Sequence, residues 1–116
     1  MSKGATVVVH FRDIETDEPL RDAVQRGCDH LAEEFEEVTR FEVTISEDGG
    51  VGFDVHGHAT GKGTDVATHA SAENARAAVD QVIHKIERQL RKLHDKRIFS
   101  QRRDAQKDPP KRRATQ

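Results

Sequence analysis

The chain is 116 residues long, which suits one small domain, and 34% of its residues are charged. It contains five Phe, one Cys and neither Trp nor Tyr, so its core must be mainly aliphatic, and an internal disulfide framework is excluded. No stretch approaches the roughly 20 apolar residues that span a bilayer, and the first residues show no apolar leader. We therefore expect a soluble cytoplasmic protein without a membrane partner.

The charges are divided unevenly along the chain. Residues 1–80 contain 7 Lys and Arg against 17 Asp and Glu, a net charge of −10. Residues 81–116 contain 12 Lys and Arg against 4 Asp and Glu, a net charge of +8. A basic carboxyl end of this kind indicates either a phosphate-rich partner or a tail that only keeps the protein in solution.

A strand and a capped helix are predicted first. Val7, Val9 and Phe11 alternate with polar or outward positions, as in a half-buried strand. Asp17 followed by Pro19 is typical of a helix start. The helix then carries one apolar stripe, consisting of Leu20, Val24, Cys28, Leu31 and Phe35. Because the cysteine lies on this stripe, we expect a buried, inert thiol.

Three strands and a long helix are predicted downstream. Glycine-rich turns at 47–50 and 60–64 separate the strands, which favours an antiparallel meander. The alternating sets of the three strands are Phe41, Val43 and Ile45, then Val51, Phe53 and Val55, then Val66, Thr68 and Ala70. Ser71 is the expected cap of the final helix, which we expect to run to about Arg97. Its apolar side comprises Ala75, Val79, Val82, Ile86, Leu90 and Leu93.

The order of elements, β-α-β-β-β-α, predicts a single α+β domain in which both helices pack on one face of a four-stranded sheet. We place this domain at residues 1–97. Residues 98–116 contain two prolines, many charges and no apolar period, so we predict a disordered basic tail there.

The final helix carries the strongest candidate site. Cations recur every three or four residues on a side of the helix distinct from the apolar one, namely Lys85, Arg88, Lys92 and Lys96. Such a basic ridge can replace counterions on a nucleic-acid backbone, through contacts that read shape and position rather than base sequence. The alternative is an ordinary solvated helix face, with Glu87 and Asp95 offsetting some of the charge.

Four histidines form the second candidate site. By strand alternation, His10, His56, His58 and His69 all point away from the helices. A His-x-His pair on a strand places two imidazoles on one face, as in some metal sites, and Asp54 could add a carboxylate. No third ligand is fixed by spacing. The same imidazoles could instead respond to pH as they gain protons below about pH 6.5, or act only as polar surface residues.

No catalytic centre is predicted. The sequence Gly61-Lys62-Gly63-Thr64 lacks the upstream glycine of a phosphate-binding loop and precedes a strand, so we interpret it as a hairpin turn. No Ser, Cys or Thr has the sequence context of a nucleophile. We therefore expect a protein that is not an enzyme and uses no cofactor, small-molecule substrate or metal.

Two segments resemble a known family. Residues 66–80 and 84–93 are similar to the last strand and helix of the ribosome hibernation promoting factor and ribosome-associated inhibitor A family, also called the sigma-54 modulation protein family. The most specific part is Ala77-Ala78-Val79-Asp80 followed by Lys85-Ile86-Glu87-Arg88-Gln89-Leu90. The sequence Glu18-Pro19-Leu20-Arg21 with Val24 resembles the start of the first helix of that family. The resemblance covers about residues 5–97 and includes the order of elements.

The resemblance implies a ribosome hibernation factor that inhibits translation under stress or in stationary phase. Such a protein binds the small ribosomal subunit and its rRNA near the decoding centre and blocks the messenger and transfer RNA sites. Carried over by position, the RNA-binding residues are Arg21, Lys85, Arg88, Lys92 and Lys96, and this sequence's own pattern adds Arg91. No second domain of the long form follows, so we expect a short form that is monomeric when free.

Two alternatives stay open. One is a metal- or pH-responsive regulatory module that uses the histidine-bearing face of the sheet. The other is a generic duplex-RNA binder, since helices with basic faces can also span duplex grooves.

Overall fold

The computed structural model describes the backbone of residues 5–106 and the side chains of residues 5–95. Within these ranges the elements follow the predicted order β-α-β-β-β-α. They are β1 (Thr6–Arg12), α1 (Glu18–Glu34), β2 (Val38–Glu47), β3 (Phe53–Gly61), β4 (Thr64–Ala72) and α2 (Ala75–Gln106). The strands form one sheet in the order β1-β2-β3-β4, with β1 parallel to β2 and the predicted antiparallel meander of β2, β3 and β4.

The core lies between one face of the sheet and the two helices. Alternate residues of β2, namely Phe41, Val43 and Ile45, are fully buried there. Helix α1 packs on β1 and β2, whereas α2 packs on β3 and β4. The side chains of the core cluster that α2 supplies are Ala78, Val79, Val82, Ile86 and Leu90. The predicted α+β domain with both helices on one face is therefore confirmed.

Helix α1 begins and packs as predicted. The Asp17 side chain accepts a hydrogen bond from the Leu20 backbone N–H at 3.1 Å, which satisfies one of the free donors of the first turn. The helix ends at Glu34, and the N–H of the following Phe35, which caps it, donates to the Leu31 carbonyl at 2.7 Å. Cys28 is fully buried in the stripe.

The start of β3 and the start of α2 differ from the prediction. Val51 is 81% exposed and its N–H donates to the Asp48 carbonyl, so it belongs to the turn and β3 begins only at Phe53. Ser71 lies within β4, because β4 stays paired with β3 through Ala72. The cap of α2 is Asn74 instead, whose side-chain oxygen accepts the Ala77 N–H at 2.8 Å. Because β4 stays paired through Ala72, the cap of α2 lies three residues later than predicted.

Helix α2 continues to Gln106 rather than ending near Arg97. Residues 98–106 contain neither Gly nor Pro, so no residue type in this stretch stops a helix. The remainder of the predicted tail, residues 107–116, lies outside the described residues. Among residues 5–106 no helix, α2 included, is apolar enough over its length to cross a membrane.

Two glycines allow α2 to approach its neighbours closely. A Cβ at Gly57 would lie 2.5 Å from Cγ1 of Val82 and 2.9 Å from Cδ1 of Ile86, both on α2. A Cβ at Gly27 of α1 would lie 2.6 Å from Cδ1 of Ile83. These separations are well inside the ~3.5–4.0 Å of an ordinary carbon contact. The two glycines therefore set how α2, which carries the candidate site, lies on the sheet and on α1.

Candidate nucleic-acid interface

Three cations of α2 line a groove between this helix and β4. Lys85, Arg88 and Lys92 are all exposed, and the groove they line has a volume of about 390 Å³. Its remaining lining residues are Ala67, Thr68, His69 and Gln89. Because β4 is the edge strand of the sheet, the groove opens to solvent along the side of the molecule.

The helical period places these cations together. Ile86 and Leu90 of α2 are fully buried against the sheet, and positions 85, 88 and 92 follow one flank beside this buried side. The flank faces β4 because α2 lies over β3 and β4. The structure therefore brings together three of the six residues predicted for RNA binding.

The cations of the groove have no carboxylate partner among the described side chains. The Lys85 Nζ donates a hydrogen bond to the His69 carbonyl at 2.7 Å, which holds this cation at the edge of β4. Among the described side chains, no carboxylate lies within ion-pair distance of Lys85, Arg88 or Lys92. An anionic partner would thus meet three cations that have no competing internal counterion.

Arg91 lies on another flank of α2 and is neutralised. Its Nη2 donates to Glu87 at 2.7 Å and to Glu34 at the end of α1 at 2.9 Å. Its guanidinium also lies 5.5 Å from the centre of the Phe35 ring. The hydrogen bonds to Glu87 and Glu34 raise the pKa of Arg91. The structure therefore places Arg91 as a tie between α1 and α2, and Glu87 serves this tie rather than offsetting the groove.

Arg21 lies away from the groove, and the side chain of Lys96 lies outside the described residues. The guanidinium of Arg21 lies 5.6 Å from the centre of the Phe11 ring of β1, and its Nε lies 3.7 Å from Glu18. Since β1 and β4 are the two edges of the sheet, Arg21 is at the edge opposite the groove. The backbone of Lys96 belongs to α2, but its side chain lies outside the described side chains.

The groove contains residues that the sequence did not indicate. Thr68, His69 and Gln89 line it beside the cations, although only the cations were predicted as contacts. Gln89 lies four residues after Lys85, which was an available signal because such positions share a helix face. The approach of β4 depends on tertiary packing, so no sequence spacing could have placed Thr68 or His69 there.

The four histidines lie on the outer face of the sheet, as predicted, and all are exposed. His10 of β1 contacts Glu42 of β2, with Nε2 and Oε2 2.9 Å apart. His58 of β3 contacts Asp65 of β4, with Nε2 and Oδ1 2.6 Å apart. Each imidazole thus has a carboxylate partner on the neighbouring strand.

The other two histidines stack on each other across β3 and β4. The ring centres of His56 and His69 are 4.5 Å apart with 27° between the planes. His69 Nε2 also lies 3.5 Å from an Asp54 oxygen. The Ser71 hydroxyl donates to this carboxylate, and that hydrogen bond, with the nearby His69, lowers the pKa of Asp54. Within the described part of the chain, no group of three or more His, Cys, Asp or Glu could hold a metal ion.

The buried cysteine has no reactive character. Burial, with a smaller contribution from the Asp29 carboxylate, raises the pKa of Cys28 to about 12. The nucleophilic thiolate is therefore scarce at neutral pH, as the sequence predicted for a cysteine on the apolar stripe.

Comparison with known proteins identifies the family. The model of the family described as sigma 54 modulation protein / S30EA ribosomal protein matches residues 7–98. The chain belongs to this family. The resemblance inferred from residues 66–80 and 84–93 is thereby confirmed, and membership identifies a ribosome-associated protein. No curated protein matches the sequence.

Solved structures share the fold. A ribosomal subunit interface protein from Coxiella burnetii is similar with a TM-score of 0.68 and 15% identity, over 78% of this chain and 98% of that chain. The N-terminal domain of Protein Y from Thermus thermophilus is similar with a TM-score of 0.66 and 18% identity, over 78% of this chain and 99% of that chain. At these identities the similarity shows a common fold.

Proposed function

We propose that the chain is a hibernation factor that binds the small ribosomal subunit and its rRNA near the decoding centre. It would occupy the space of messenger and transfer RNA and so silence idle ribosomes in the cytoplasm under stress or in stationary phase. The proposal needs no catalytic step, cofactor or small-molecule substrate. The free protein would be a monomer.

The groove between α2 and β4 is the observation that carries this proposal. Lys85, Arg88 and Lys92 present three charges that pair with no carboxylate of residues 5–95, on one helix and at an edge open to a large partner. Each phosphate contact that they make releases a counterion, which favours binding and makes it salt-dependent. Lys96 follows one turn later along α2, and we propose that it extends the same contact.

Arg21 and Arg91 stand outside the proposed interface for different reasons. Arg91 is already engaged by two carboxylates, so an RNA phosphate would have to displace Glu34 and Glu87. Arg21 lies at the opposite edge of the sheet, where α1 is predominantly acidic. We therefore assign the phosphate contacts to one flank of α2 rather than to both helices.

The proposal is tested by sedimentation with purified small subunits through sucrose gradients over a series of salt concentrations. The variant Lys85→Glu/Arg88→Glu/Lys92→Glu removes the groove charges. The matched control Arg26→Glu/Arg40→Glu/Arg76→Glu makes the same change in net charge at exposed positions elsewhere. We expect the wild type and the control to sediment with subunits at low salt, and the groove variant to stay at the top of the gradient.

Two results would contradict the proposal. The first is normal sedimentation of the groove variant, which would mean that the contact lies elsewhere. The second is equal competition by a simple RNA duplex, which would support generic duplex binding instead. For the wild type, the four proposed phosphate contacts predict a slope of log K against log salt of about −3 to −4, since each contributes about −0.7 to −0.9.

A further inference from the structure

One histidine connects the groove to the outer face of the sheet. His69 lines the groove, and its carbonyl accepts the hydrogen bond from Lys85. Its imidazole stacks on His56, its direct partner on β3. Both rings are exposed on the outer face of the sheet, and His69 is the member of the pair that also lines the groove at the β4 edge.

Charged side chains surround this pair of imidazoles on the neighbouring strands and around the β4 edge. Asp54 and His58 flank it on β3, and Asp65 lies on β4. On β2 the residue opposite His56 is the uncharged Thr44, with Glu42 beside it, and His10 of β1 is next in the same row. Helix α2 packs on the opposite face of the sheet, and its cations Lys85, Arg88 and Lys92 lie around the β4 edge, where His69 lines the groove.

The carboxylate of Asp54 sets the charge at this rim when the imidazoles are neutral. It lies 3.5 Å from His69 and accepts the Ser71 hydrogen bond that lowers the pKa of Asp54, so it stays ionised in mildly acidic solution. The rim of the cationic groove then carries a negative charge that repels phosphate. Imidazole is the side chain whose charge responds to mild acidification. One proton on the pair offsets Asp54, and a second makes the rim net positive.

Two stacked imidazolium rings 4.5 Å apart repel each other, and an adjacent anion relieves that repulsion. A phosphate at the rim therefore favours the second proton. By thermodynamic linkage, the protons favour the phosphate to the same extent.

We propose that His56 and His69 form a proton-dependent phosphate subsite at the rim of the groove, so that binding of RNA tightens as the solution becomes mildly acidic. This inference rests on the proposed function and adds a regulation to it. The other two histidines each contact a carboxylate, Glu42 for His10 and Asp65 for His58, and neither of them lines the groove.

The test measures affinity for purified small ribosomal subunits at pH 7.5 and pH 6.0 at constant ionic strength. His56→Gln/His69→Gln removes the subsite, and His10→Gln/His58→Gln is the matched control with the same number of exposed histidines replaced. We expect the wild type and the control to bind about fivefold more tightly at the lower pH. The subsite variant should show no such gain. Comparing the gains removes any effect of pH on the subunits.

Calorimetry supplies a second measurement. Binding at pH 6.3, in two buffers of different ionisation enthalpy, reports the protons taken up, and the subsite variant should take up fewer than the wild type. Equal pH gains or equal proton uptake in these two proteins would overturn the inference and leave the proposed function standing. Absence of wild-type binding at both pH values would overturn the proposed function, and this inference with it.

Discussion

The close approach of α2 to the sheet at Gly57 can be tested by adding one methyl group. In Gly57→Ala the new Cβ would lie 2.5 Å from Cγ1 of Val82 and 2.9 Å from Cδ1 of Ile86. Both side chains are fully buried, and the branched Val82 has little rotamer freedom on a helix, so relief requires α2 to move outward.

The expected cost follows from two opposing effects. Overpacking a core by one methyl group costs about 1–3 kcal/mol. Replacing Gly by Ala also restricts the unfolded chain, which offsets about 0.4–1 kcal/mol. We expect Gly57→Ala to lower the free energy of unfolding by about 1–2 kcal/mol, with packing dominant. Since one kcal/mol corresponds to about 4–8 °C for a domain of this size, the melting temperature should fall by about 5–15 °C.

Urea unfolding followed by circular dichroism at 222 nm measures this change without a tryptophan probe. Val82→Ala supplies the control, because alone it leaves a void and costs about 2 kcal/mol. In the double variant the methyl group at position 57 enters that void, so the combined loss should be at least about 1 kcal/mol smaller than the sum. Additive losses, or an unchanged stability of Gly57→Ala, would refute the packing argument.

The remaining predictions concern the cap of α2, the tie between the helices and the buried thiol. Asn74→Ala should lower the free energy of unfolding by about 1 kcal/mol, and Ser71→Ala should leave the helix content unchanged, as measured by urea unfolding and circular dichroism. Arg91→Gln should lower the melting temperature but keep the affinity for small subunits within about twofold, whereas Lys92→Gln should weaken binding and leave the melting temperature unchanged. Cys28 should resist thiol reagents at pH 8 in the folded protein, because burial raises its pKa to about 12, and should react readily in urea.

Each of these predictions has an outcome that contradicts it. A loss of helix stability in Ser71→Ala would restore the original assignment of the cap. A loss of subunit affinity in Arg91→Gln, with normal stability, would return this residue to the RNA interface. Rapid labelling of native Cys28 would mean that the core opens around α1 far more often than its burial indicates.

The fold was predictable because its elements carry regular patterns. Alternation in β2 and the apolar stripes of α1 and α2 depend only on strand and helix periods, which can be read from one sequence. The cap of α2 was not predictable in this way. Ser71 and Asn74 are both good capping residues, and the choice is decided by how far β4 stays paired with β3.

The residues of the candidate site were likewise predictable where they depend on the helix period and not where they depend on tertiary packing. The helix period alone placed Lys85, Arg88 and Lys92 on one flank, where the structure has them. The hydrogen bond from Arg91 to Glu34 could not be predicted, because the position of Glu34 depends on how α1 packs on α2. Glu87 lies four residues before Arg91, and this spacing could have indicated their ion pair from the sequence alone.

The edge of the sheet at which a residue lies could be learned only from the fold. Arg21 was grouped with the α2 cations because family position links the two helices. Sheet order then separates them, since α1 lies over β1 and β2 while the groove follows β4. The position of His69 at the groove is likewise a consequence of β4 being an edge strand beside α2.

We propose that the α2–β4 groove holds rRNA where messenger and transfer RNA would lie. The decisive experiment is a cryo-electron microscopy map of the chain bound to the small ribosomal subunit. We expect density near the decoding centre that overlaps the messenger and transfer RNA paths, with Lys85, Arg88 and Lys92 against rRNA phosphates. A bound chain whose groove faces solvent, or which leaves both paths open, would contradict it.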